Sequence, residues 1–180
     1  WTTINGGGAQ GFTNGGPTSP ADRQNEFYLR YEADYTTSHD DWLISPQFTV
    51  TAGVSDEIKI DAQCLGSVYN EDFSVYLSTS SPTAANLQAN LIEANVSPNG
   101  ASATTYTWDL SSYVGQAVYI GFYCNAIAND QNVLQFDNFV IDALPQCQPI
   151  DSLTATYTGT DSVTLNWVAG TNADSFAVSY

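Results

Sequence analysis

The stretch DDWLISPQFTV, residues 40–50, places two carboxylates and a tryptophan directly before an apolar run and a proline. Apolar residues before Pro46 and alternation after it are typical of β-strands, and a proline interrupts ladder hydrogen bonding between them. We therefore predict a strand that enters the core of a β-sandwich at Trp42. The carboxylates of Asp40 and Asp41 predict an acidic corner that binds a cation, the alternative being that they only end a loop.

Alternating or β-branched runs recur through the first 142 residues. Residues 26–35 and 57–65 alternate apolar with polar side chains, as expected for strands with one buried face. The pattern contains no amphipathic helix of any length, which favours an antiparallel β-sandwich, and specifically a jelly roll. The other predicted strands cover residues 1–4, 41–50, 73–78, 91–96, 106–110, 117–124 and 133–141.

The character of the sequence changes after a proline-flanked connector at residues 144–150. Three short strand patterns follow, at residues 153–157, 162–167 and 175–180, separated by Gly, Thr, Asn and Asp turns. Three strands cannot close a sandwich, so we expect the second domain to be truncated. The predicted organisation is a first domain at residues 1–143, a linker at 144–150 and an incomplete second domain at 151–180.

The charge balance restricts the classes of partner. The 180 residues include 19 acidic and three basic ones, giving a net charge of −16 although only 12% of residues are charged. Such a surface repels phosphate backbones, so we expect no nucleic-acid binding, and it lacks the basic clusters that attract anionic lipid. No apolar run is long enough to span a bilayer, so we expect no membrane insertion. A surface rich in carboxylate and carbonyl oxygens suits calcium, and its polar, uncharged composition suits an extracellular β-protein.

Three cysteines cannot all pair within one chain. Cys64 and Cys124 each lie in a strand-like run, and if those strands are neighbours a disulfide between them is geometrically reasonable. Cys147, in the connector, would then be left over or pair outside this segment. The alternative is three buried thiols.

Patterns that would indicate catalysis are missing. His39 is the only histidine and has no cysteine nearby, so local sequence does not form a zinc site, and we expect a solvated loop residue. No Gly-x-Ser-x-Gly elbow occurs, and the acidic pairs at residues 56–57 and 71–72 are adjacent and would point to opposite strand faces. We therefore expect no enzymatic activity.

Carbohydrate binding through exposed aromatic side chains is the strongest alternative among binding functions. The chain has 11 tyrosines and four tryptophans, although aromatic residues in strands usually belong to a core or to cross-strand pairs. The candidate sugar-contacting residues are Tyr28, Tyr69, Tyr106 and Tyr123.

Four motifs appear in a fixed order: DWLISP at residues 41–46, FSVYLS at 73–78, WDLSSYVGQAVYIGF at 108–122 and FDNFVI at 136–141. They resemble the cleaved-adhesin, or choice-of-anchor J, jelly-roll domains of Bacteroidetes surface proteins, which include the adhesin modules attached to gingipain proteases. The resemblance covers roughly residues 1–143. Residues 147–180 resemble the opening strands of a fibronectin type III domain, a pairing common in secreted proteins that often use type IX secretion.

The resemblance implies a non-catalytic extracellular module with structural calcium. Asp137 matches a recurring acidic residue of the family, and Asp40 matches the acid before the tryptophan. The chain departs from the family after Trp1, where relatives carry several aspartates and this sequence offers Asn5 and backbone carbonyls; Glu26 and Asp34 are candidate substitutes. Asp-Ser-apolar triplets at Ser152 and Ser162 resemble an O-glycosylation motif of Bacteroidetes. The implied calcium ligands are Asn5, Glu26, Asp34, Asp40 and Asp137.

These observations predict an adhesion or scaffolding module of a large secreted or cell-surface protein. Its partners would be a host or neighbouring-cell protein or glycan surface, and the other domains of the same polypeptide. One alternative is a carbohydrate-binding module appended to a secreted hydrolase. Another is the subunit of a surface filament, which would self-associate through exposed strand edges. Because the sequence begins at Trp1 and contains no methionine, we expect it to be part of a longer or processed protein.

Overall fold

The computed structural model describes residues 1–6, 11–15, 28–32, 38–65, 72–98, 102–124, 133–145, 151–157, 159 and 161–168. The chain divides into two compact units, Trp1–Ala143 and Leu144–Tyr180. The described residues contain a short helix, α1, at Ala84–Gln88 and a 3₁₀ turn at Ser111–Tyr113. The described strands are β1 Thr2–Ile4, β2 Phe12–Gly15, β3 Tyr28–Glu32, β4 Asp41–Ile44, β5 Phe48–Thr49, β6 Glu57–Leu65, β7 Phe73–Ser78, β8 Leu91–Val96, β9 Thr104–Asp109, β10 Ala117–Cys124, β11 Val133–Asp142, β12 Asp151–Tyr157 and β13 Val163–Val168.

The first unit is an antiparallel sandwich of two sheets. The six-stranded sheet has the order β1-β4-β10-β7-β8, with β5 also paired to β10, and the five-stranded sheet has the order β2-β3-β11-β6-β9. Apart from β2 with β3 and β7 with β8, neighbours in each sheet are distant in sequence, and the pairings are antiparallel, for example Phe122 opposite Leu43 and Leu134 opposite Cys64. Such long connections between antiparallel neighbours are typical of a jelly roll, which confirms the predicted fold class.

The main core fills the space between the two sheets. Phe73, Phe122 and Phe136 pack together there, with ring centroids 5.1 to 6.1 Å apart. In β6 the alternate residues from Ile58 to Cys64 face this core, as the period of two predicted. Residues from both sheets therefore share one apolar interior.

A second, smaller apolar cluster lies on the outer face of the six-stranded sheet. Trp42 was expected to mark the start of the main core, but the residue of β4 that enters that core is Leu43, and Trp42 packs with Ile44 and Leu87 on the opposite side. Helix α1 supplies Leu87, and its first turn is capped by the Thr83 side chain, which accepts a hydrogen bond from the Asn86 N–H. All four residues of β4 are consequently buried.

The predicted disulfide between Cys64 and Cys124 is wrong. Cys64 belongs to β6 in the five-stranded sheet and Cys124 to β10 in the six-stranded sheet, so the two strands are not neighbours. Both thiols are buried and no disulfide joins them. Cys147 lies outside the described residues.

One strand near the N-terminus was not predicted. No strand was expected between residues 4 and 26, but the structure has β2 there, and its Phe12 packs against the main core. The strand expected at residues 26–35 is described as β3, Tyr28–Glu32. Turn-forming Asn and Gly around Phe12 hid the short alternation of β2.

The second unit contains the antiparallel pair β12 and β13, with Ala155 opposite Leu165. The third strand predicted there, residues 175–180, lies outside the described residues, and the fibronectin type III assignment stays a prediction. No helix in the described part of the chain is long and apolar enough to cross a membrane.

Candidate functional site

The acidic corner predicted at residues 40–41 forms where the end of β1 meets the start of β4. Asp41 is fully buried, and one of its carboxylate oxygens accepts the N–H of Gly6 at 2.9 Å. The other lies 2.9 Å from Nδ1 of His39, which is also buried. A Cβ atom at position 6 would collide with the carbonyl oxygen of Asp40, so this close approach requires glycine.

The structure brings two of the predicted calcium ligands to this corner. Asn5 lies beside Gly11, where an added Cβ would be 3.3 Å from the Asn5 Nδ2 atom and 3.4 Å from an Asp41 oxygen. Asp40, which directly precedes Asp41, is exposed. Sequence reasoning placed Asp41 in the acidic corner but not among the implied calcium ligands, and it expected His39 to be solvated. Their mutual hydrogen bond instead makes Asp41 and His39 the buried centre of the corner.

Asp137 lies in a different cluster, on the outer face of the five-stranded sheet. It is opposite Asp61 of β6, at a bulge where Asn138 has a φ of 49°. The Asn138 side chain donates to Asp61 at 2.8 Å, and Thr105 donates to the other Asp61 oxygen at 2.5 Å. Both oxygens of Asp61 therefore accept hydrogen bonds from neutral donors.

The described residues offer only part of a calcium site. Exposed carboxylate and amide oxygens at Asp40 and Asn5 have the chemistry that calcium requires. Within the described ranges no group of three or more His, Cys, Asp or Glu residues is arranged to hold a metal ion. Glu26 and Asp34, the other predicted ligands, lie outside the described residues.

The outer face of the six-stranded sheet carries an aromatic group that we call the outer aromatic cluster: Trp42, Tyr76, Tyr119 and Tyr123. The Trp42 ring is 4.6 Å from the Tyr123 ring and 5.2 Å from the Tyr76 ring, measured between centroids. Tyr76 and Tyr123 meet edge to face, at 6.1 Å and 79°. Trp42 is fully buried whereas the three tyrosines are half-buried, so parts of their rings face solvent.

The outer aromatic cluster and the acidic corner are continuous. The Tyr123 hydroxyl donates a hydrogen bond to the Asp40 carboxylate. Burial of the ring, followed by the charge of Asp40 and this hydrogen bond, raises the pKa of Tyr123 to about 12. The site thus combines aromatic surface with an exposed carboxylate at its edge.

The predicted sugar-contacting tyrosines lie in different parts of the first unit. Tyr123 belongs to the outer aromatic cluster, but Tyr106 packs against the main core and stacks on Trp108 at 6.2 Å and 16°. Burial raises the pKa of Tyr106, and the nearby negative charge of Glu93 raises it further. A side-chain hydrogen bond with Thr104 lowers this pKa by a smaller amount. The side chain of Tyr28 and all of Tyr69 lie outside the described residues. The sequence of β10, AVYIGFYC, contained the missed signal, because apolar residues on both strand faces indicate burial on both sides.

The predicted O-glycosylation serines are both exposed. Ser152 has a φ of 55° and lies at an irregularity between Asp151 and Thr154 in the pairing of β12 with β13. Ser162 directly precedes β13. Their modification stays a prediction.

No protein-family profile matches this sequence, and no curated protein matches it. Among solved structures, the K1 cleaved adhesin domain of Lys-gingipain from Porphyromonas gingivalis is 19% identical, with a TM-score of 0.60 over 81% of this chain and 91% of that domain. The K2 cleaved adhesin domain of Lys-gingipain is 16% identical, with a TM-score of 0.58 over 77% of this chain and 87% of that domain. The TmCBM61 module in complex with β-1,4-galactotriose is 11% identical, with a TM-score of 0.54 over 79% of this chain and 88% of that module. The chain therefore shares the jelly-roll fold of these domains.

Proposed function

We propose that this chain is a non-catalytic binding module of the adhesion or scaffolding type, within a large secreted or cell-surface bacterial protein. Its partners are a protein or glycan surface on a host or neighbouring cell, and other domains of the same polypeptide. The observation that carries the proposal is the half-exposed outer aromatic cluster beside Asp40. Sheet faces that meet only water are normally polar, so half-exposed Tyr76, Tyr119 and Tyr123 side chains favour a contact surface.

The solved structures that share this fold support a binding role. They include adhesin domains of Lys-gingipain and a module, TmCBM61, bound to β-1,4-galactotriose. The second candidate function is therefore a carbohydrate-binding module appended to a secreted hydrolase. Aromatic rings beside a carboxylate favour it, because sugar rings present apolar faces together with hydroxyl donors.

We also propose that calcium stabilises the first unit at the acidic corner. Asn5 and the exposed Asp40 supply oxygen donors there, and the net charge of −16 draws divalent cations to the surface. The buried contacts of Asp41 with Gly6 and His39 fix the backbone that carries Asp40.

A binding assay with the 180-residue chain tests the proposed function. The labelled chain is applied to immobilised glycans and to immobilised cell-surface and matrix proteins, and the same glycans are assayed for hydrolysis. We expect saturable retention on at least one surface, with no release of reducing sugar. Sugar release, or an absence of retention on every surface, would contradict the proposal.

A further inference from the structure

The surface formed by Tyr76, Tyr123 and Asp40 has two chemically different parts. The rings of Tyr76 and Tyr123 meet edge to face at 79° on the outside of the six-stranded sheet, and both residues are half-buried. Asp40 is exposed, accepts the Tyr123 hydroxyl hydrogen, and forms no ion pair within the described part of the chain. The surface therefore offers aromatic contact area, one fixed hydroxyl and an exposed carboxylate acceptor.

We propose that this surface binds a neutral saccharide, and that Asp40 both orients the sugar and excludes acidic sugars. Tyr76 and Tyr123 contact the C–H face of a pyranose ring, and the Asp40 carboxylate accepts hydrogen bonds from its hydroxyl groups. This inference rests on the proposed binding function and assigns it a ligand class and a site.

Charge favours a neutral ligand over an anionic one. A carboxylated or sulfated sugar that lay on Tyr123 would bring its anion close to the Asp40 carboxylate, with which no basic side chain pairs among the described residues. The net charge of −16 adds a longer-range repulsion that salt would weaken. Asp40 is therefore the specificity-determining residue of the surface.

The indole nitrogen of Trp42 is an independent observation at the same place. Trp42 is fully buried against Tyr76 and Tyr123, and its Nε1–H has no hydrogen-bond acceptor among the described residues. A buried N–H without an acceptor is unfavourable. The outer aromatic cluster therefore contains an unused donor as well as the Asp40 acceptor.

Titration calorimetry of the 180-residue chain tests the inference with four neutral polysaccharides: galactan, mannan, xylan and mixed-linked glucan. A probe that binds is compared with the same polysaccharide carrying carboxylate groups after chemical oxidation. We expect neutral binding to be at least about tenfold tighter, which corresponds to about 1.4 kcal/mol. Both titrations are run in chelator, which keeps Asp40 free of the calcium proposed above, and there Asp40→Asn should reduce that preference to about threefold or less.

Tyrosine variants locate the binding surface. Tyr76→Ala and Tyr123→Ala should each weaken binding by about tenfold, because each removes a contacting ring. Tyr157→Ala is the matched control, since Tyr157 is 81% exposed and lies in the second unit. Tyr123→Phe keeps the ring and should retain most of the affinity, which separates loss of contact from loss of folding.

The outcomes distinguish this inference from the proposed function. Undiminished glycan binding by both alanine variants, or retention only on basic proteins, would overturn the saccharide site while the module remained a binding protein. Absence of binding to all four polysaccharides would also overturn it. Retention on no glycan and no protein surface would remove both proposals.

Discussion

The indole N–H of Trp108 donates to a Glu93 carboxylate oxygen at 2.5 Å and so joins the edge strand of one sheet to the edge strand of the other. Trp108, in β9, is 6% exposed and packs against Phe73 of the main core. Glu93, in β8, is exposed. A second contact lies beside it, in which the Tyr106 hydroxyl of β9 donates to the carbonyl oxygen of Ser97, directly after β8, at 3.4 Å.

Replacing Glu93 by alanine should therefore destabilise the first unit. A buried indole donor would lose its charged acceptor, and because Glu93 is exposed we expect the low end of the usual range, about 1 kcal/mol. Glu93→Gln keeps an acceptor and should cost less. Urea unfolding measures both, and equal stability of the alanine variant and the parent would show that the bond contributes nothing.

Helix α1 packs so closely against position 121 that only glycine fits there without displacing its neighbours. A Cβ atom at this position would lie 2.9 Å from a Leu87 methyl carbon and 3.1 Å from the Trp42 ring. We expect Gly121→Ala to destabilise by about 1–3 kcal/mol through overpacking. In a Leu87→Ala background the same change should cost much less, because the added methyl group then enters space that Leu87 vacated.

A double-mutant cycle measures this coupling between Gly121 and Leu87. A coupling energy near zero would contradict the expectation, since it would mean that α1 does not press on β10 at Gly121.

Gln135 is a buried amide without a hydrogen-bond partner among the described residues. It lies between Leu134 and Phe136, which face the main core, so its side chain is on the other face of β11, where it is 0% exposed. In the described part of the chain, neither the nitrogen nor the oxygen of its amide has a hydrogen-bond partner. Gln135→Met, which keeps the volume and removes both polar atoms, should raise the free energy of unfolding by about 1 kcal/mol.

Gln135→Ala is the control, because it removes the same polar atoms but also leaves a cavity, and it should destabilise. A methionine variant less stable than the parent would indicate that the amide has an ordered water or another partner that it satisfies.

Calcium removal tests the proposed cation. Chelation should lower the melting temperature, because an ion that binds only the folded state stabilises it by about 2.7 kcal/mol at a hundredfold excess over its Kd. Asp40 lies beside Tyr123 of the six-stranded sheet, whereas Asp137 lies in the five-stranded sheet. The variants Asp40→Asn and Asp137→Asn therefore test two different positions for the ion. We expect Asp40→Asn to abolish the shift; an unchanged melting temperature on chelation of the parent would remove calcium altogether.

The sequence predicted the fold better than the site, for physical reasons visible in single residues. Period-two alternation identifies a strand with one buried face, as in β6, where Ile58 to Cys64 face the core. It cannot say which sheet a strand joins, and for that reason Cys64 and Cys124 were wrongly expected on neighbouring strands. Trp42 was assigned to the main core because nothing in the neighbouring sequence indicates that the five-residue helix α1 covers the outer face of the six-stranded sheet.

The outer aromatic cluster and its contact with Asp40 were not predicted, because their residues are brought together only by the pairing of strands that are distant in sequence. Tyr76 and Tyr123 are far apart in sequence, and β7 and β10 bring them together. Asp40 was chosen for its place before the tryptophan, whereas its contact with the Tyr123 hydroxyl depends on β4 pairing with β10. Sequence could supply the residue types but not this adjacency.

The raised pKa of Tyr123 gives a pH dependence with a definite sign. Its ordinary value is 10.0 and its value in the folded chain is about 12. Between these values the unfolded chain loses the Tyr123 proton while the folded chain keeps it, so ionisation favours unfolding and stability falls as pH rises. Below pH 10 both states hold the proton and the contribution is fully present.

Tyr123→Phe removes this titration and should flatten the decline in unfolding free energy measured by urea at pH 9 and pH 11. Chelator in both buffers keeps the Asp40 carboxylate, which helps to raise the pKa, free of added cation. Tyr106, whose pKa is also raised, is unchanged in the variant, so part of the decline should persist. An identical decline in the parent and in Tyr123→Phe would mean that Tyr123 is solvated, and the outer aromatic cluster would then lose its link to Asp40.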